Sequence, residues 1–262
     1  MTGAFRLGTA FGIPVFMHWT FLLLLGFVAL TQLVGTGSVG AALSGVVFVA
    51  LIFGCVVLHE FGHALMARRY GIGTRDVTLL PIGGLARLNR MPEDPRQELA
   101  VALAGPAVNL AIAGVLAIWL VLTGLHSAVG IGWAEGSLAA RLLTVNLALV
   151  AFNMLPAFPM DGGRVLRALL AQRIGHAEAT EYAAKIGRGM AVVFGVLGLF
   201  WNPMLILIAL FVWFGAGQEA AMARRRATID GWAPEPAIHE SSERPWPRRR
   251  VYRVGPWPVH RD

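Results

Sequence analysis

Between residues 41 and 67 the chain runs almost without polar side chains, long enough as a helix to cross the hydrocarbon core of a bilayer. Into the last two turns of that run it sets His59, Glu60 and His63, in the order His-Glu-Phe-Gly-His. An ionisable group inside a span costs at least ~2.5 kcal/mol on the mildest insertion scale. Three so close together need a compensating partner. On a helix His59 and His63 stand at i and i+4, one above the other on one face, where both imidazoles can reach a single ion. Glu60 is one position along, close enough to hold a water bound to that ion. Two neutral histidines with a neighbouring carboxylate describe a hydrolytic zinc site with an open position. The expectation is one Zn2+ per chain, bound by His59 and His63.

Composition agrees with a membrane solvent. The 262 residues are 56% hydrophobic and only 14% charged, against ~25% charged in soluble domains. The net charge of +7 would suit nucleic acid, but the Lys and Arg residues fall in loops beside apolar runs, as membrane topology requires, so no nucleic-acid partner is expected. The single cysteine, Cys55, excludes an internal disulfide and reads as a small buried hydrophobe.

The pattern predicts an all-α polytopic membrane protein with about six transmembrane helices and a small cytoplasmic-side β-hairpin after the second span. Residues 1–13 read as a short lead. Spans are expected near residues 14–34, 41–67, 98–122 and 138–155, then two more meeting at Asn202-Pro203 as a hairpin. The first helix of that pair borrows residues upstream of Arg188. His18 beside Trp19 reads as an interfacial pair. Arg68-Arg69 marks a cytoplasmic helix end, which puts the metal site inside the bilayer near that face. Residues 74–80 and 85–89 read as short strands around Pro81-Ile82-Gly83-Gly84, with an edge open to an extended peptide. Asp94-Pro95-Arg96-Gln97 reads as a helix start. Pro106 should loosen the third span, and Asn109 can bond a neighbouring helix. The loop at 123–137 carries no Lys or Arg and is expected outside. By the same charge rule both termini lie in the cytoplasm. Residues 1–220 form the core, and residues 221–262, rich in Pro, Arg and Trp, form a flexible tail.

A catalytic zinc of this kind takes three protein ligands. Asp76, Glu93, Asp94, Glu98 and Asp161 can reach the cytoplasmic end of the second span. Asp94 is expected as a helix cap, and Glu98 suits the first turn of a helix. Asp161 follows a Pro-broken segment that lets a side chain turn inward, and it is the favoured third ligand with Glu98 next.

Three blocks together, His59-Glu60-Phe61-Gly62-His63, Gly105-Pro106-Ala107-Val108-Asn109 and the run from Asn153 through Pro156, Pro159 and Asp161 to Gly162, resemble the site-2 protease family of intramembrane zinc metalloproteases. The resemblance covers most of residues 10–220. It implies that His59, His63 and Asp161 are zinc ligands, that Glu60 is the catalytic base, and that Asn153 lies near the reacting carbonyl. The substrate it implies is the transmembrane segment of another membrane protein, cut in the cell membrane of a bacterium or archaeon. Many relatives carry nucleotide-sensing or peptide-binding modules, for which this chain has no room. Two other functions compete with this one. One is a membrane metallopeptidase cutting loop or soluble segments outside the bilayer. The other is a metal transporter or zinc-dependent scaffold.

Overall fold

The structure is a computed structural model and describes residues 3–92, 94–124 and 136–232, with side chains described as far as residue 225. In chain order the elements are β1 (Ala4–Ala10), β2 (Ile13–His18), α1 (Thr20–Thr36), α2 (Val39–Arg69), β3 (Thr74–Leu80), β4 (Gly83–Leu88), α3 (Pro95–Leu122), α4 (Leu138–Asn153), α5 (Asp161–Ile174), α6 (His176–Phe200) and α7 (Met204–Trp232).

The hairpin after α2 is present, but it is half of a larger sheet. The four strands lie in the order β1-β2-β3-β4, antiparallel within each hairpin and parallel where β2 meets β3. This corrects two expectations. Residues 4–18 are neither a lead nor the start of a span, and the protein is helical with a four-stranded sheet rather than all-α with one hairpin. Ile13 and Val15, two residues apart, turn to one face and bury against Phe61, Ala64 and Val77. A hydropathy window merges such a strand with the helix behind it. The pairing that fixes it, Val15 with Val77, joins residues far apart in the chain.

Among the described residues four helices are long and apolar enough to cross a membrane: α2, α3, α6, and α7 as far as Arg225. The helices α1 and α4 are apolar but shorter, at 17 and 16 residues. Large apolar side chains such as Phe27, Leu51, Ile118 and Phe214 face outward, the surface of a protein whose solvent is lipid. The protein is a membrane protein.

The helix pair α6 and α7 turns at Asn202-Pro203, with Asn202 Oδ1 accepting the Met204 amide at 3.0 Å. As expected from charge, α6 begins well upstream of Arg188. Helix α7 runs past the expected core boundary at residue 220 to Trp232, and residues 233–262 lie outside the described residues. Most of the 123–137 loop lies outside them too. Asp94 caps α3 through the Arg96 amide at 2.8 Å with Pro95 in the first turn, and the helix runs on through Pro106.

Candidate metal centre

The centre is built where α2, α3 and α5 meet. Helix α2 presents His59 and His63 on one face, and α5 brings Asp161 from a hundred residues further along. All three are buried. His59 Nε2, His63 Nε2 and Asp161 Oδ2 form a triangle with every side 3.1 Å. Ligand atoms held at ~2.0–2.1 Å around a tetrahedral zinc would be ~3.3 Å apart.

The outer nitrogens decide what this triangle can hold. His63 Nδ1 donates to the Val101 carbonyl at 2.7 Å. His59 Nδ1 donates to Asn109 Oδ1 at 2.7 Å. Asn109 cannot turn its amide around, because its Nδ2 donates to Asn146 Oδ1 at 3.0 Å. Asn146 in turn is oriented by the Leu142 carbonyl, which accepts its Nδ2 at 2.8 Å. With both Nδ1 atoms protonated, both Nε2 atoms carry lone pairs. Two such lone pairs and a carboxylate oxygen converge with no proton between them, which is the donor set of a divalent cation. The triad is the group of His, Cys, Asp or Glu residues placed to hold a metal ion among the described residues.

Close approach makes the site possible. A Cβ at Gly105 on α3 would overlap the His63 ring and come within 2.7 Å of His59 Nε2. At Gly163 a Cβ would meet the Ala157 carbonyl carbon at 2.6 Å, so only glycine lets α5 start against the 154–160 turn. Helix α5 is then locked by Arg167, whose Nε donates to Glu98 of α3 at 2.8 Å and whose Nη1 reaches Glu219 of α7 at 3.2 Å.

Among the described candidate third ligands, Asp161 alone joins the two histidines. Glu98 is committed to Arg167, Asp76 is held by Arg87 at 2.8 and 2.6 Å, and Asp94 caps α3. Glu93 lies outside the described residues. Glu60 stands beside the triangle and accepts the Ala86 amide of β4 at 3.0 Å. Asn153 ends α4, half-buried, just before the turn that leads to Asp161. Cys55 is buried outside the triangle, 3.4 Å from Asn146 Nδ2. His18 pairs with Thr20 at 2.7 Å beside Trp19. Sequence reading placed Asn109 as a bond between helices but missed that it also orients His59. Its spacing four residues after Gly105, on the same helix face, is the signal that was available.

Helices of membrane length around a buried His-His-Asp cluster define a metallopeptidase-type membrane protein. The sequence pattern of peptidase family M50 matches residues 47–135 and 128–194. The chain belongs to this family, that of the site-2 proteases. It is 38% identical over 221 residues to a zinc metalloprotease of Methanocaldococcus jannaschii, covering 84% of this chain and 61% of that protein. A Synechocystis protein provisionally named a zinc metalloprotease is 33% identical over 263 residues, 92% of this chain and 66% of its own length. The chain thus spans about two thirds or less of these relatives. The solved site-2 protease of M. jannaschii superposes with a TM-score of 0.58 at 38% identity, over 83% of this chain and 95% of that one.

Proposed function

We propose that this protein is an intramembrane zinc metalloprotease that hydrolyses a peptide bond within or near the transmembrane segment of a membrane-protein substrate. The observation that carries the reading is the triangle of His59, His63 and Asp161, its two histidines set in a helix of membrane length and their Nε2 atoms freed of protons by the Nδ1 bonds. These three residues hold the zinc, one ion per chain. Zinc bound there supplies a Lewis acid that makes water and a peptide carbonyl reactive near neutral pH. Glu60 takes the proton from the attacking water and returns it to the leaving amine. Asn153 is read as a donor to the oxyanion that develops on the substrate.

A transmembrane helix hides its carbonyls in its own i to i+4 bonds, so the substrate must unwind before attack. Strand β4 is the last in its sheet, and an unwound segment can pair with its outer edge. The Ala86 amide that Glu60 accepts lies on that strand, which puts the base beside the place where the substrate would dock. We read α1 and α4 as spans too, six in all, with both termini cytoplasmic in the cell membrane of a bacterium or archaeon. Their apolar faces and the Arg68-Arg69 end of α2 support that orientation.

The test compares zinc content and cleavage of a single-span substrate in proteoliposomes. Glu60→Gln should keep its zinc and lose cleavage, and Asp161→Ala should lose both. Full cleavage by Glu60→Gln would end the proposal.

A further inference from the structure

Between β4 and the start of α5 lies a cleft of about 520 Å³. Arg75, Arg87, Arg90 and Arg164 line it, with the backbone and side chains of residues 86–91. Among the described lining residues none is acidic. Asp76 next to it neutralises one guanidinium, binding Arg87 through two hydrogen bonds and lying 3.9 Å from Arg75. Among the described residues no ion pair matches the remaining charge. The Nε of Arg164 is buried with no hydrogen-bond partner among the described residues. A buried guanidinium N–H without an acceptor is costly, and its natural complement is a planar carboxylate or a phosphate.

The two walls of the cleft both begin at the reacting groups. On one wall Ala86 gives its amide to Glu60, and Arg87 and Arg90 follow along the chain. On the other, Arg164 comes three residues after Asp161, one turn along α5 on the same face. A segment paired with the outer edge of β4 beyond Ala86, whose amide Glu60 already takes, would therefore run between the arginines. At ~3.3 Å per residue, its side chains about three to five positions from the cleaved bond would reach them.

We propose that this cleft is a subsite for acidic side chains of the substrate, flanking the bond to be cut. The inference rests on the proteolytic reading. It adds a substrate class, an unwound segment followed by Asp or Glu. Phosphate groups of lipids share the chemistry, but Ala86, which lines the cleft, gives its amide to Glu60, and this favours the chain that is being cut.

The experiment uses the full-length Glu60→Gln protein in neutral detergent. Two fluorescent single-span peptides are compared, identical except that one carries Glu-Asp-Glu and the other Gln-Asn-Gln beside the helix end. The acidic peptide should bind about tenfold more tightly, ~1.4 kcal/mol, and the ratio should shrink with salt. Adding Arg90→Gln and Arg164→Gln should bring the ratio to about one, whereas Arg69→Gln, exposed at the end of α2 and not lining the cleft, should leave it intact. If the double variant does not fold, the exposed Arg90→Glu alone should invert the ratio. A ratio near one before any arginine is changed, or one that survives the arginine changes, overturns the subsite. So does loss of phosphatidylglycerol binding in the arginine variants with no difference between the peptides, which would make the cleft a lipid site. If the unmutated protein cuts neither peptide but the binding ratio and its arginine dependence hold, the subsite stands and the protease reading falls.

Discussion

The Nδ1 of His59 on α2 lies 2.7 Å from Oδ1 of Asn109 on α3, the inner end of a buried relay that runs through Asn146 to the Leu142 carbonyl. This relay selects the tautomer that leaves Nε2 free for a metal. Asn109→Leu should therefore weaken zinc binding by about 10- to 100-fold, the usual effect of removing a hydrogen bond behind a ligating histidine. Asn109→Asp keeps an acceptor and should retain most of the affinity. Competition with a chromophoric chelator reads both variants, and equal affinity in Asn109→Leu would remove Asn109 from the site.

Two glycines separate ligation from proton transfer. A Cβ at Gly105 falls on the His59 and His63 rings, whereas one at Gly84 falls 2.7 Å from Glu60 Cγ. Gly105→Ala should lose zinc. Gly84→Ala should keep it and lower kcat by about an order of magnitude through misplacement of the base, a part of the ~10²–10⁴-fold that proton transfer contributes. Metal analysis beside steady-state cleavage distinguishes them, and the pairing fails if both variants lose zinc.

Arg167 and Glu98 are both buried, and their ion pair joins α5 to α3. Arg167→Met leaves the carboxylate uncompensated and should cost about 3–5 kcal/mol of stability. The double change Arg167→Met, Glu98→Leu replaces the pair with apolar contact and should recover most of the loss. Denaturation in detergent measures each. If the double variant is no more stable than the single one, the pair is not what makes Arg167 costly to remove.

Zinc should also stabilise the fold, since the folded chain alone brings the three donor atoms together. Chelation should lower the unfolding temperature of the unmutated protein, and resupplied zinc should restore it. In His59→Ala, His63→Ala protein the chelator should change nothing. A chelator shift that persists in that variant would point to metal bound elsewhere.

The local pattern carried much of this protein. An apolar run whose only ionisable side chains besides Cys55 are His59, Glu60 and His63 is legible because lipid makes every intramembrane charge expensive, and i,i+4 spacing puts two ligands on one face whatever the rest of the chain does. The α6 and α7 hairpin was equally local, written in Asn202-Pro203 and the arginines on either side. What the sequence left open needed distance in space. Glu98 and Asp161 are both carboxylates able to reach the end of α2, and only packing put one on Arg167 and the other on the histidines. The strands β1 and β2 read in sequence as a lead and part of a span, because a strand that packs through parallel pairing with β3 carries no mark of its partner. The tautomer of His59 and the arginine cleft were beyond any window, since each joins side chains from separate elements. Sequence by itself determined which residues can bind metal and cross a membrane. Tertiary structure alone decided which of them meet, because tautomer, ion pairing and cleft charge depend on neighbours that only folding supplies.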